Sequence, residues 1–221
     1  MLPILSLLIF RLTAGAFQKT FAGKQDGVII KTNPDLSNIL FSTFLGGSGN
    51  DAAFVLAINP TDGNIYVGGN TDGTDLPGDK TNVLQAASQG GETEGFVSII
   101  NIDGSALLKT SYIGTAGNDM LYGIQFDKFS FPYIMGTTTS DNWPVINAAF
   151  SQSKGKQFIA KLKPDLSGYE YSTVFGSGEQ GSKYFTYRIF GRQMRKCICF
   201  RLGRTNKCRW IIPIQEQQVY L

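Results

Sequence analysis

Phe44–Phe54 reads FLGGSGNDAAF, and Tyr112–Tyr122 reads YIGTAGNDMLY. The two phrases lie 68 residues apart and keep one order: aromatic, aliphatic, glycine, Gly-Asn-Asp, aromatic. The chemistry is that of a turn between strands. Gly46, Gly47 and Gly49 tolerate positive φ at no steric cost. Asn50 and Asp51 can bond their own backbone and start the next strand. Gly114, Gly117, Asn118 and Asp119 repeat the pattern.

The phrase belongs to a longer repeat. Gly27-Val28-Ile29-Ile30 precedes Gly95-Phe96-Val97-Ser98 by 68 residues, as Asp35 precedes Asp103. A third copy follows at a spacing of 62, where KPDLSGYEYSTVFGSG (163–178) restates NPDLSNILFSTFLGGSG (33–49). The first unit reads as four strands, Gly27–Thr32, Ile39–Leu45, Ala52–Ile58 and Asn64–Gly69. Asp62-Gly63 supplies a hairpin signal between the last two. A looser Gly-, Thr- and Asp-rich segment leads to the next unit. In AAFVLAI (52–58) both faces of the strand are apolar, the mark of a strand buried on both sides. The expectation is one antiparallel sheet from each unit, at about 27–69, 95–136 and 158–181, stacked face to face as propeller blades are. A β-helix would need a period of roughly 20 residues.

Composition agrees. With 42% apolar residues the chain has material for a core, and its 26 glycines suit short strands and tight turns. No window of helical length carries an apolar stripe free of Gly or Pro. Histidine is absent, which removes His-based triads, general bases and metal ligands. The fold class expected is therefore all-β, an incomplete β-propeller of about three four-stranded blades.

The residues that carry this pattern resemble a known family. Asn33-Pro34, Phe41-Ser42-Thr43-Phe44-Leu45-Gly46-Gly47, Asp51 and Asn64-Ile65-Tyr66-Val67 are similar to the SBBP repeat, a β-propeller repeat of large secreted bacterial proteins. The resemblance covers residues 12–181. The second unit departs from it, with Phe131-Pro132-Tyr133-Ile134-Met135-Gly136 in place of the Asn-x-Tyr-Val strand. The resemblance implies an extracellular or cell-surface scaffold and does not imply an active site.

Candidate chemistry is sparse. Gly176-Ser177-Gly178-Glu179-Gln180-Gly181 matches G-x-G-x-x-G, but it occupies the place of the repeat turn, and a dinucleotide site needs a helix to follow. Asp62, Asp72, Asp75 and Asp79 alternate with Gly and Asn and could ligate calcium; the plainer reading is polar turn chemistry. Trp143, Tyr112 and Phe175 could form a carbohydrate platform; the plainer reading is that they are blade-packing aromatics. No spacing places two carboxylates across one cleft. The expectation is no catalytic, cofactor-binding or metal residue.

The two ends differ from the middle. Residues 1–11, MLPILSLLIFR, hold too few apolar residues to span a membrane. They fit the apolar region of a signal peptide, with Ala14-Gly15-Ala16 as cleavage site, but no basic residue precedes the run. Residues 182–221 are basic and hold Cys197, Cys199 and Cys208, the chain's only cysteines. A nucleic-acid arm, an incomplete zinc set and a frameshifted blade are the three readings. The third is preferred. Read one nucleotide downstream with synonymous codons free, the segment from Ser182 allows PNISPTAFLVDKCGNVYVSGWGG, which contains AFLVD and NVYVSG, the two strands the third unit lacks.

The functional expectation is a non-catalytic scaffold of a secreted or cell-surface bacterial protein, binding protein or glycan surfaces and self-associating through uncovered blades. Nucleic acid and a membrane span are not expected. The rival is a propeller enzyme, a lyase or glycosidase with its site in the central channel. Titratable groups with shifted pKa values converging there would favour it.

Overall fold

The structure, a computed structural model, describes residues 12–176 and the backbone of 199–200 and 209–210. The frameshift reading therefore falls outside the described residues, apart from that one backbone pairing, as do the signal-peptide apolar run and most of the G-x-G-x-x-G phrase. The described chain is all-β, with no helix. The strands are β1 (Gly27–Thr32), β2 (Ile39–Leu45), β3 (Asp51–Ile58), β4 (Ile65–Thr71), β5 (Glu94–Ile100) and β6 (Leu107–Ile113). They continue with β7 (Asp119–Phe126), β8 (Pro132–Thr138), β9 (Gln157–Leu162), β10 (Tyr169–Phe175), β11 (Cys199–Phe200) and β12 (Arg209–Trp210). Pro132 opens β8, the strand position where a missing N–H costs least.

The strands fall where the repeat predicts, but the sheets do not. Three antiparallel sheets form: sheet I (β1-β2), sheet II (β3-β4-β5-β6) and sheet III (β7-β8-β9-β10), with β11 and β12 as a separate pair. Each sheet boundary cuts a sequence unit in half. The expectation of one sheet per unit is corrected by two strands, because the short glycine turn carries the chain from one sheet to the next. The long segment joins neighbours within a sheet. Thr71 lies opposite Glu94 although 22 residues separate them in between, numbered 72–93.

The long segment spends its length on an edge. The Thr110 N–H donates to the Asp79 carbonyl and the Tyr112 N–H to the Gln85 carbonyl, both at 3.0 Å, so residues 79–85 run along the outer side of β6. Ile146 and Ser172 exchange backbone bonds at 2.9 Å on the outer side of β10, and Phe44 of β2 donates to Gln18 at 3.2 Å. An exposed edge strand is a template for unwanted pairing, and a docked loop removes it.

Two apolar interfaces hold the sheets together. Ile29, Phe41 and Leu45 of sheet I pack with Val67, Phe96 and Tyr112 of sheet II. Val97 and Tyr66 of sheet II pack with Leu121, Ile124, Ile134 and Phe158 of sheet III. Trp143 stacks on Phe158 at 3.8 Å and donates its Nε1–H to Ser172 Oγ at 2.8 Å. Hydrogen bonds also cross the second interface, from the Leu121 N–H to Asn70 Oδ1 at 2.9 Å and from the Tyr66 hydroxyl to the Pro164 carbonyl at 2.6 Å.

The closing aromatic of the repeated phrase has a place of its own. Register shifts between Ala53 and Val55, and between Leu121 and Gly123, make Phe54 and Tyr122 the extra residues of two matching bulges. The two rings stack on each other at 6.2 Å and 27°, joining β3 to β7. The expectation that β3 is buried on both faces fails. Phe54, Leu56 and Ile58 are 52%, 53% and 60% exposed, because sheet I has only two strands and does not reach them.

Candidate functional site

Acidic side chains gather where the chain crosses between sheets. At the first crossover, Asp51 Oδ2 accepts the Gly47 N–H at 2.7 Å. Asp26, one residue before β1, accepts at Oδ2 from the Ala22 N–H at 2.9 Å and from Gln18 Nε2 at 3.0 Å. The second crossover repeats the design. Asp119 Oδ2 accepts from the Thr115 N–H at 2.6 Å and its hydroxyl at 2.8 Å. Glu94 Oε2 accepts from the Gln89 N–H at 2.8 Å and from the Ser88 hydroxyl.

The two acids of each pair converge on a glycine. A Cβ at Gly46 would lie 2.7 Å from Asp26 Oδ1 and 2.8 Å from Asp51 Oδ2. At Gly114 it would lie 2.8 Å from Asp119 Oδ2 and 2.9 Å from Glu94 Oε1. None of Gly46, Gly47 and Gly49 has positive φ. The turn therefore demands glycine for room, which corrects the conformational reason expected from the sequence. A glutamine completes each site. Gln85 accepts the Gly114 N–H at 2.8 Å and donates to its carbonyl at 2.7 Å, and Gln18 accepts the Gly46 N–H at 3.1 Å.

The electrostatics follow from burial. All four acids are buried, and Asp26 Oδ1, Asp51 Oδ1, Glu94 Oε1 and Asp119 Oδ1 have no hydrogen-bond partner. Desolvation pushes the Asp51, Glu94 and Asp119 carboxyls above the ordinary range. The neighbouring charge adds to it, from Asp26 on Asp51 and from Asp119 on Glu94. Raised, paired carboxyls are raw material for acid–base chemistry. Here Asp51 and Asp119 are fully buried, so no substrate in solvent touches them. Their hydrogen bonds hold turns.

The other candidates are dispersed. Asp72 accepts from the Asn50 N–H and Nδ2, both at 2.6 Å, and Asp75 accepts from the Ser48 N–H at 3.0 Å. These bonds hold both acids below the usual carboxylate range and tie the loop after β4 to the first crossover. Asp62 and Asp79 bond the N–H groups of Asn64 and Thr81, two residues on, at 2.9 Å each. No group of three or more His, Cys, Asp or Glu side chains suited to a metal ion occurs among the described residues. Tyr112, Trp143 and Phe175 lie in three different buried clusters and form no shared platform. An open groove of about 550 Å³ runs past Phe17, Gln18, Pro77 and Leu107, and no charged side chain lines it.

Sequence reading noted Asp51 and Asp119 as landmarks but missed their partners. The signal was present: Asp26 and Glu94 share the same spacing of 68, and Gln18, Gln85 and Gln152 recur at 67. No protein-family model matches the chain, and comparison with curated proteins finds no match.

Proposed function

We propose that the chain is a non-catalytic repeat scaffold of a secreted or cell-surface bacterial protein, an incomplete β-propeller of the SBBP type whose surface binds proteins or glycans. The observation that carries this reading is the use made of the recurring polar residues. Asp26, Asp51, Glu94, Asp119 and the two glutamines all point inward and hold the crossovers. The propeller form is supported by the stacking of sheets II and III, with Phe54 of β3 against Tyr122 of β7. Self-association belongs to the same reading, because Leu56, Ile58 and Val28 leave apolar surface open.

The test pairs binding with turnover. The purified chain is applied to a glycan array and incubated with a polysaccharide panel, with reducing ends and unsaturated products measured. The scaffold reading expects saturable binding to at least one glycan or surface protein and no product. Turnover that co-purifies with the chain through successive columns overturns it in favour of the enzyme.

A further inference from the structure

Among the described residues, sheet I lacks the two strands that β3-β4 give to sheet II and β7-β8 give to sheet III. By the repeat, β1 corresponds to β5 and β9. In sheet II the inner edge of β5 is taken by β4, with Gly69 opposite Phe96 and Thr71 opposite Glu94. In sheet III the same edge of β9 is taken by β8, with Gly136 opposite Phe158. Among the described residues the only strand paired with β1 is β2. Its inner backbone edge is an open template for a further strand.

The surface beside that edge matches it. Ile124 of β7 is buried in the cluster with Tyr66, and Phe126 packs edge-on against the Tyr66 ring at 4.8 Å. What covers them is the inner hairpin of the preceding sheet. Their counterparts 68 residues earlier, Leu56 and Ile58, stand 53% and 60% exposed beside sheet I. An open edge and an apolar face thus meet where the molecule elsewhere seats one particular element.

We propose that this place is a docking site for a β-hairpin of the chain's own inner-strand pattern, contributed by a further unit of the same repeat. The hairpin adds to β1 in antiparallel register, its glycine opposite Val28 and its threonine opposite Asp26, and its inward face covers Leu56 and Ile58. The two copies already seated, β3-β4 on β5 and β7-β8 on β9, identify the occupant. Leu40 on β2 supplies an internal control. It is 56% exposed, but its counterpart Leu108 is 40% exposed in a sheet that has all four strands, so the hairpin does not cover it.

The experiment titrates the full chain with a labelled synthetic peptide of residues 47–71 and with its scrambled form. Saturable one-to-one binding is expected for the native peptide only, with slowed amide exchange along β1. Leu56→Glu and Ile58→Glu weaken it by at least about tenfold, the cost of placing a charge where an apolar side chain is buried. Leu40→Glu leaves it unchanged. Absence of binding, equal binding of the scrambled peptide, or equal loss with Leu40→Glu overturns the proposal. So does a homodimer that Leu56→Glu breaks and the peptide does not displace, which gives the face to a second copy. Should either charged variant lose its tertiary circular dichroism, the exchange pattern on the unmutated chain decides alone.

Discussion

β3 and β7 are one strand written twice, and they live differently. Leu56 and Ile58 of β3 are exposed, while Ile124 is 3% exposed and Phe126 is packed under Tyr66. The side chains are of one kind and the backbones share the same bulge. What differs is the sheet in front: four strands before β7, two before β3. Apolar pattern states that a strand face is meant for burial. Whether it is buried depends on a neighbour hundreds of atoms away in the chain.

The largest test of this comparison is a pair of truncations. Ile124→Ala removes a fully packed side chain and is expected to cost about 2–5 kcal/mol in urea unfolding. Leu56→Ala, at the equivalent place, is expected to stay within about 0.5 kcal/mol. Similar losses at both sites would mean that β3 is covered in solution.

A second pair sits in the hairpin turns of sheets I and III. Leu36 and Leu166 occupy matching positions and both hold positive φ, at 61° and 62°; Gly104 holds it between them in sheet II. A left-handed leucine costs about 1–2 kcal/mol. Leu166 offsets that cost by complete burial in the core, while Leu36 is 76% exposed. Leu166→Gly is therefore expected to destabilise by about 2 kcal/mol or more through the lost packing. Leu36→Gly is expected to stabilise by up to about 1 kcal/mol, reduced by the unfolded-state entropy of glycine. Thermal melts of the two variants should move in opposite directions.

The crossovers give the smallest effect and the one set by pH. The folded-state values of Asp51, Glu94 and Asp119 lie above their unfolded ones, so folding favours the protonated acids. Their contribution is complete below about pH 4 and is lost as pH rises through the folded values. The groups facing them, Asp26 and Asp75 on Asp51 and Asp119 on Glu94, act in the same direction. The melting temperature should thus fall as pH rises from about 4 towards neutrality. Asp119→Asn, which mimics the protonated acid, should flatten that slope. Asp72 and Asp75, held low by hydrogen bonds, act in the opposite sense, as pH falls below the ordinary carboxylate range.

Much of this was legible in the residues. All ten strands from β1 to β10 were implied by the repeat, because a period of 68 with alternating apolar residues and Gly-Asn-Asp turns admits little else. The crossover acids were half legible: Asp51 and Asp119 announced themselves through the turn phrase, whereas Asp26 and Glu94 stand alone before a glycine and gain meaning only when two strands bring them to Gly46 and Gly114. Trp143 was read first as a packing aromatic and it is one, but its partner Phe158 was not legible, since a side chain's identity does not say what stacks on it.

From sequence alone come the β class and the strand positions, since each rests on patterns within a few residues. The tertiary structure alone decided which strands share a sheet. A repeat boundary may be drawn anywhere along a periodic chain without changing the period, and the phase is set by hydrogen bonding. β4 pairs with β5 across a long segment because that segment is needed to cover the edge of β6, and the glycine turn, with no room for side chains between its two carboxyls, makes the step to the next sheet.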